Sequence, residues 1–214
     1  MSQHTPNPQQ QKIIDRTNGA ILVLAPVGSG KTLVLSSRVV RAVSSHDNIP
    51  KNIHENNHII SGEKILCLTF TNRAAKEMSE RLMQAVPDVF HKITIKTFHG
   101  LCASILRSEA REIGLPTDFV IYDETDCKEI IKEVFGFYHH KDVDKTFFEI
   151  TNYKSHLEVS KLSANFSNIE LFADIGSENQ ARLVAKYQEI LQQRHAVDFS
   201  DLVFYVRVMF HHQK

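Results

Sequence analysis

Eight consecutive residues, Ala25-Pro26-Val27-Gly28-Ser29-Gly30-Lys31-Thr32, have the types and the spacing that could do chemistry on a phosphate. Glycine lacks a Cβ, so backbone N–H groups in such a stretch can turn toward β- and γ-phosphates. A helix starting here adds positive potential, Lys31 supplies a mobile cation, and the Thr32 hydroxyl suits Mg²⁺. The segment departs from the G-x-x-x-x-G-K-[ST] phosphate-loop pattern only at Ala25, which stands where the first Gly is written. A methyl there is a minor steric change when the residue keeps extended geometry at a strand end. Alone, the pattern does not choose among kinases, switches and motors.

The loop needs a strand before it and a helix after it. Ala20–Ala25 is short and continuously apolar after the turn Asn18-Gly19, which predicts a fully buried parallel strand. A helix is expected from Gly30 to about Ser45. Residues 46–62, rich in His, Asn and Gly without a period, read as a surface loop and a tolerated insertion. Lys64–Thr69 reads as a second buried strand, and Asn72 as the cap of a helix with Ala75, Met78 and Leu82 on one stripe. Ile93–Lys96 is a third strand. Thr97 can cap a helix whose apolar positions are Phe98, Leu101, Cys102, Ile105 and Leu106. Strand then helix, three times over, predicts an α/β domain with a mainly parallel sheet.

Between Ser104 and Ala196 no comparable strand pattern occurs. Helical stripes dominate instead, among them Cys127, Ile130, Ile131, Val134 and Phe135, and later Val184, Tyr187 and Leu191. Asp198–Phe210 reads as a capped helix with Phe199, Leu202, Val203, Val206 and Phe210 on one side. The expected organisation is 1–104 as the first part of an ATP-binding domain, 105–196 as a helical insert and 197–214 as a return to that domain.

The chain has 214 residues, 42% hydrophobic and 23% charged, a globular composition that excludes disorder and collagen. Its 25 basic and 25 acidic residues cancel, but unevenly: residues 1–104 hold 12 Lys and Arg against 7 Asp and Glu, and residues 105–214 hold 13 against 18. The balance therefore does not argue against an anionic partner for the first half. The longest apolar run, Ala20–Val27, falls far short of the ~20 residues that cross a bilayer, and no secretory signal is visible, so a cytoplasmic protein with no membrane partner is expected. Cys67, Cys102 and Cys127 lack C-x-x-C spacing and read as buried thiols of a reducing compartment. The pairs His139-His140 and His211-His212 have no Cys or carboxylate at metal-ligand spacing and read as solvated surface.

Four further segments narrow the choice. Asn7-Pro8-Gln9-Gln10-Gln11, Leu68-Thr69-Phe70-Thr71-Asn72-Arg73-Ala74-Ala75-Lys76-Glu77-Met78, Ile95-Lys96-Thr97-Phe98-His99-Gly100-Leu101 and Val197-Asp198-Phe199-Ser200-Asp201-Leu202 follow one another along the chain. With the phosphate loop they resemble, in order, motifs of the UvrD/Rep/PcrA-type superfamily 1 DNA helicases. The resemblance covers nearly the whole chain and implies a P-loop NTPase (RecA-like) domain with an α-helical insert subdomain, binding ATP, Mg²⁺ and single-stranded DNA. It implies that Gln10 reads the adenine edge, with Ala25, Pro26, Val27, Gly28, Ser29, Gly30, Lys31 and Thr32 around the phosphates and Thr32 on the metal. Pro6 stands where such helicases usually have Leu. It further implies one DNA segment at Phe70, Asn72 and Arg73 and a second at Thr97, Phe98 and His99. Aromatic faces suit base stacking, and polar groups at helix starts suit phosphates. Phe98 also lies on its helix's apolar stripe, so core packing is an equal reading.

Hydrolysis needs an acidic pair for Mg²⁺ and water as well. Asp123-Glu124 follows the apolar run Phe119–Tyr122, but it precedes the stripe beginning at Cys127 and reads as a helix cap with first-turn charge. In the family the acidic motif follows the Asp-Phe-Ser-Asp-Leu segment, and only His211–Lys214 remain here beyond that helix's apolar stripe. Loss of general-base catalysis is worth roughly 10²- to 10⁴-fold, and loss of an arginine finger roughly 10³- to 10⁵-fold. ATP hydrolysis near background and no unwinding are therefore expected of the isolated chain, with a separately encoded C-terminal helicase portion as a possible partner. Ala20–Ala25 is expected to be left with an unsatisfied apolar edge. Two other readings stay open: a non-catalytic nucleotide- or DNA-binding module or degenerate remnant, and a small-molecule P-loop kinase.

Overall fold

Asn7 begins the ordered elements by capping α1 (Pro8–Asp15) in a computed structural model that describes residues 5–16, 19–44, 65–109, 111, 115–137, 139–157 and 178–212. The predicted loop at 46–62 lies outside those residues, as does Asn18. The Asn7 side chain accepts from Gln10 N at 2.9 Å, and Gln10 Oε1 accepts from Asn7 N at 2.9 Å. This reciprocal box satisfies two helix-start donors, and Pro8 at the first position loses no bond. The chain divides into two units, Met1–Phe98 and His99–Lys214.

In the first unit α2 (Lys31–Ser44) follows the phosphate-loop segment, then come β1 (Leu66–Thr69), α3 (Asn72–Ala85), α4 (Pro87–Phe90) and β2 (Thr94–Thr97). β1 and β2 pair in parallel, in register from Leu66 opposite Thr94 to Thr69 opposite Thr97. Parallel neighbours need a long crossover, and α3 supplies it. Val39 and Val43 of α2 and Met78 and Leu82 of α3, each pair four residues apart on one helix face, share a core with Cys67. Alternation along β1 turns Leu66 and Leu68 the other way, where both are exposed, so the strand is buried on one face only.

Two expectations for this unit are corrected. Ala20–Ala25 forms no strand among the described residues; Leu22 and Leu24 stand 85% and 87% exposed. A strand exists only through its ladder partners, and the run of apolar residues that predicted it has none here. The cap of α3 is Thr71, whose side chain accepts from Ala74 N at 3.1 Å, and Asn72 is the first helical residue.

The second unit takes up α5 (Phe98–Glu109) from its second residue and continues through β3 (Val120–Tyr122), α6 (Glu124–Phe135), α7 (His140–His156), α8 (Glu178–Gln193), β4 (Ala196–Asp198) and α9 (Phe199–His212). The predicted stripes are in place: Cys127, Ile130, Ile131, Val184, Tyr187 and Leu191 are buried in one core. β3 and β4, three residues each and paired in parallel, were not expected, because segments this short carry no readable period. The first unit ends at Phe98 and the second begins at His99. Val197, Leu202, Val206 and Met209 join the core of this unit. Asp123 caps α6 as predicted, accepting from Thr125 N and Asp126 N, and left-handed Gly136 ends it.

A polar cluster lies inside this core. Lys154 of α7 places Nζ 2.7 Å from both Asp198 Oδ2 and Asp201 Oδ1. Tyr187 donates to Asp198 Oδ2 at 3.1 Å, and Gln188 Nε2 donates to Asp201 Oδ2 at 3.1 Å. Burial, followed by the neighbouring Asp198 charge, raises the Asp201 carboxyl above its ordinary range. Burial opposes the Lys154 charge, yet the two carboxylates overcome it and hold the ammonium above its usual pKa.

Candidate functional site

The Ala25–Thr32 segment turns at two glycines with left-handed backbone, Gly28 at φ 78° and Gly30 at φ 80°. Only residues without a Cβ adopt this region cheaply, which is why the sequence spaces glycines here. Gly30 O accepts from Val34 N at 3.0 Å, so the loop runs directly into α2 and the first N–H groups of that helix border the turn. Lys31 folds back over the loop, with Nζ 3.0 Å from Ala25 O and 2.7 Å from Pro26 O. Val27 is fully exposed, Pro26 is exposed, and Ser29 Oγ is buried without a hydrogen-bond partner. Thr32 is half-buried at the start of α2 and gives its carbonyl to Ser36 Oγ at 2.9 Å.

Gln10 reaches this loop from α1. Its Nε2 donates to Ser29 O at 3.1 Å while its Oε1 serves the α1 cap, so one side chain ties that helix to the phosphate-loop segment. The residues present fit a nucleoside triphosphate: an amide with both donor and acceptor, a glycine turn, a lysine held by backbone carbonyls, and a hydroxyl at a helix start.

Of the other predicted residues, Phe70, Asn72, Arg73, Thr97 and Phe98 lie at one end of the β1–β2 sheet. Thr69 and Thr97 are register partners, so Phe70 and Phe98 leave adjacent strands at the same carboxyl end. Crevices at the carboxyl ends of parallel strands are where open α/β sheets hold ligands. Phe70 is 99% exposed, outside either core. Asn72 is exposed, and because Thr71 does the capping its amide is not spent on the helix start. Arg73 is exposed and meets Glu77 at 3.1 Å, one helical turn on. Surface pairs of this kind hold weakly. Thr97 is partly buried as the last residue of β2. Phe98 is 50% exposed and in neither core cluster, which weakens its core-packing reading. His99 begins the second unit, exposed, its ring edge-on to Phe199 with centroids 5.4 Å apart and planes at 78°.

Residues 6–214 match the family described as the UvrD/REP helicase N-terminal domain. The chain belongs to that family. As a UvrD/REP helicase N-terminal domain it is 33% identical over 204 residues to the ATP-dependent DNA helicase PcrA of Staphylococcus aureus, and 34% identical over 204 residues to that of Staphylococcus epidermidis. Each comparison covers 92% of this chain and 25% of the relative, so the chain spans about a quarter of the length of the curated relatives it matches.

Within this UvrD/REP domain the three cysteines are buried and free, as predicted, and burial raises each thiol pKa. His139, His140 and His211 are exposed; the His212 side chain lies outside the described residues. No group of metal-ligating side chains, and no helix long and apolar enough to cross a membrane, occurs among the described residues. Sequence reasoning missed Lys154 and its partners. A signal was available: Lys154 follows Ile150 by four residues on the buried face of an amphipathic helix, where an unpaired charge is untenable.

Proposed function

We propose that this chain is the N-terminal, RecA-like portion of a UvrD-like helicase, binding ATP with Mg²⁺ at the Ala25–Thr32 loop and single-stranded DNA at the two strand-end segments. The observation that carries the nucleotide reading is the pair of left-handed glycines turning into α2, with Lys31 held by loop carbonyls that a phosphate would replace. Gln10 would hold the adenine, Lys31 and loop N–H groups the phosphates, and Thr32 the metal. The bound nucleotide supplies a phosphoanhydride whose cleavage drives motor work. DNA would meet Phe70, Asn72, Arg73, Thr97, Phe98 and His99, a reading supported by the in-register exit of both segments from the sheet.

Turnover by this chain alone is near background in the same reading. Asp123 serves the α6 cap through Oδ1, and Asp198 and Asp201 are buried and closed around Lys154. Exposed Leu22 and Leu24 beside the phosphate loop support packing against a further helicase portion. In the same reading residues 105–196 act as the helical insert and residues 197–214 return to the ATP-binding domain.

Titration of the purified chain with Mg²⁺-ATP tests the reading. Binding is expected to be lost in Lys31→Ala and retained in Lys154→Arg; tight ATP binding that ignores Lys31 would sink it. A single-stranded-DNA-stimulated ATPase rate would remove the statement on turnover and leave the binding site standing.

A further inference from the structure

Three charged side chains occupy space in the second unit that apolar residues would fill at least as well. Replacing a buried ion pair by well-packed apolar groups is often neutral or stabilising, so stability alone explains the cluster of Lys154, Asp198 and Asp201 poorly. Gln188 adds to the cost, since its Oε1 is buried without a partner while Nε2 serves Asp201. What the cluster does fix is direction. Asp201 N donates to Asp198 Oδ1 at 2.8 Å and Asp198 N donates to Asp201 Oδ2 at 3.1 Å, so both carboxylates belong to the cap and first turn of α9. Lys154 from α7 and Tyr187 and Gln188 from α8 hold the same carboxylates from two other helices. The exit of the chain from β4 into α9 is thereby held from three sides. In the chain Phe199 stands between Asp198 and Asp201, 47% exposed, with its ring against His99.

We propose that Lys154, Asp198 and Asp201 are positioning residues that hold the Phe199 ring against His99 and thereby set the orientation in which His99 meets single-stranded DNA. The last step rests on the DNA reading above; the hold on the ring pair does not.

The test uses the full chain, with two readouts: the His99 imidazole NMR resonances without DNA, and affinity for a labelled oligothymidine. The variant is Lys154→Met with Asp198→Asn and Asp201→Asn, which neutralises the cluster without stranding a charge, and Phe199→Leu is the reference for loss of the ring contact. The neutral variant is expected to fold, to move the His99 resonances toward those of Phe199→Leu, and to weaken oligothymidine binding about tenfold. In a His99→Ala background the same neutralisation is expected to change affinity less than about twofold, the non-additivity of groups acting through one another. A folded neutral variant with unmoved His99 resonances, or equal weakening in both backgrounds, overturns the proposal. If His99→Ala alone leaves binding unchanged, the DNA reading at His99 falls while the resonances still decide the positioning. Should the neutral variant not fold, Tyr187→Phe removes one bond to Asp198 and keeps the charges. A smaller shift in the same direction supports the proposal, and none overturns it.

Discussion

At Gly30 two constraints meet. Its backbone is left-handed, and a Cβ built there would lie 3.3 Å from Gln10 Nε2, whereas at Gly28 the φ is similar but nothing lies within 4 Å. Both alanine substitutions therefore incur the left-handed penalty of about 1–2 kcal/mol. Only Gly30→Ala also pushes on the amide that joins α1 to the loop. Gly30→Ala is expected to weaken Mg²⁺-ATP binding more than Gly28→Ala while costing similar stability; binding and urea titrations of the two variants check this, and equal binding losses would contradict it. The turn at Gly28 and Gly30 and the helix that starts at Lys31 were legible from residue type, because glycine adopts left-handed backbone cheaply. The Asn72 cap was misread because Thr71 and Asn72 are both good caps and only the backbone decides which one precedes the first helical residue.

Among elements, legibility follows length. α3, α6 and α8 run 12 to 16 residues, and the stripes Met78–Leu82, Cys127–Ile130–Ile131 and Val184–Tyr187–Leu191 locate their buried faces. β3 and β4 have three residues each, too few for alternation to show. Ala20–Ala25 failed in the opposite direction: its apolar composition describes a strand, but hydrogen bonding to neighbours makes one, and sequence composition says nothing about who the neighbour is. The cap of α6 offers a test at this scale. Asp123 takes two backbone N–H groups and Asp126 returns a bond of 3.0 Å to Asp123 N. Asp123→Ala is expected to lower the stability of the second unit by ~1 kcal/mol and to leave Mg²⁺-ATP affinity unchanged. Loss of ATP affinity in a folded Asp123→Ala chain would instead assign that carboxylate to the metal.

For the molecule as a whole, the pH response comes from protons that burial retains. Burial, with Asp198 and Asp201 adding to it, pushes the Cys127 thiol from its ordinary 9.0 to about 12. Burial likewise raises the Tyr187 and Tyr205 phenols, and the carboxylates raise Lys154. Each folded pKa lies above its unfolded value, so each contribution is complete below the unfolded pKa and is lost as pH rises through the folded one. Beyond the loss that the raised Asp201 carboxyl gives at lower pH, the thiol, the phenols and Lys154 should leave the urea midpoint of the second unit unchanged up to about pH 9 and lower it steadily toward about pH 12. Far-ultraviolet circular dichroism across that range measures it, and a midpoint unchanged at pH 11.5 would contradict the burial of these groups. The parallel register of β1 and β2 carries one more consequence. Neighbouring strands lie about 4.8 Å apart and advance about 3.3 Å per residue, so Thr69 opposite Thr97 works as a fixed gauge for whatever follows either strand. One inserted residue would turn Cys67 out of its core and displace Phe70 along the sheet by a full step. An insertion within 66–73 or 94–98 is therefore expected to change which side chains the two stretches present, so together they set the reading frame of the surface they share.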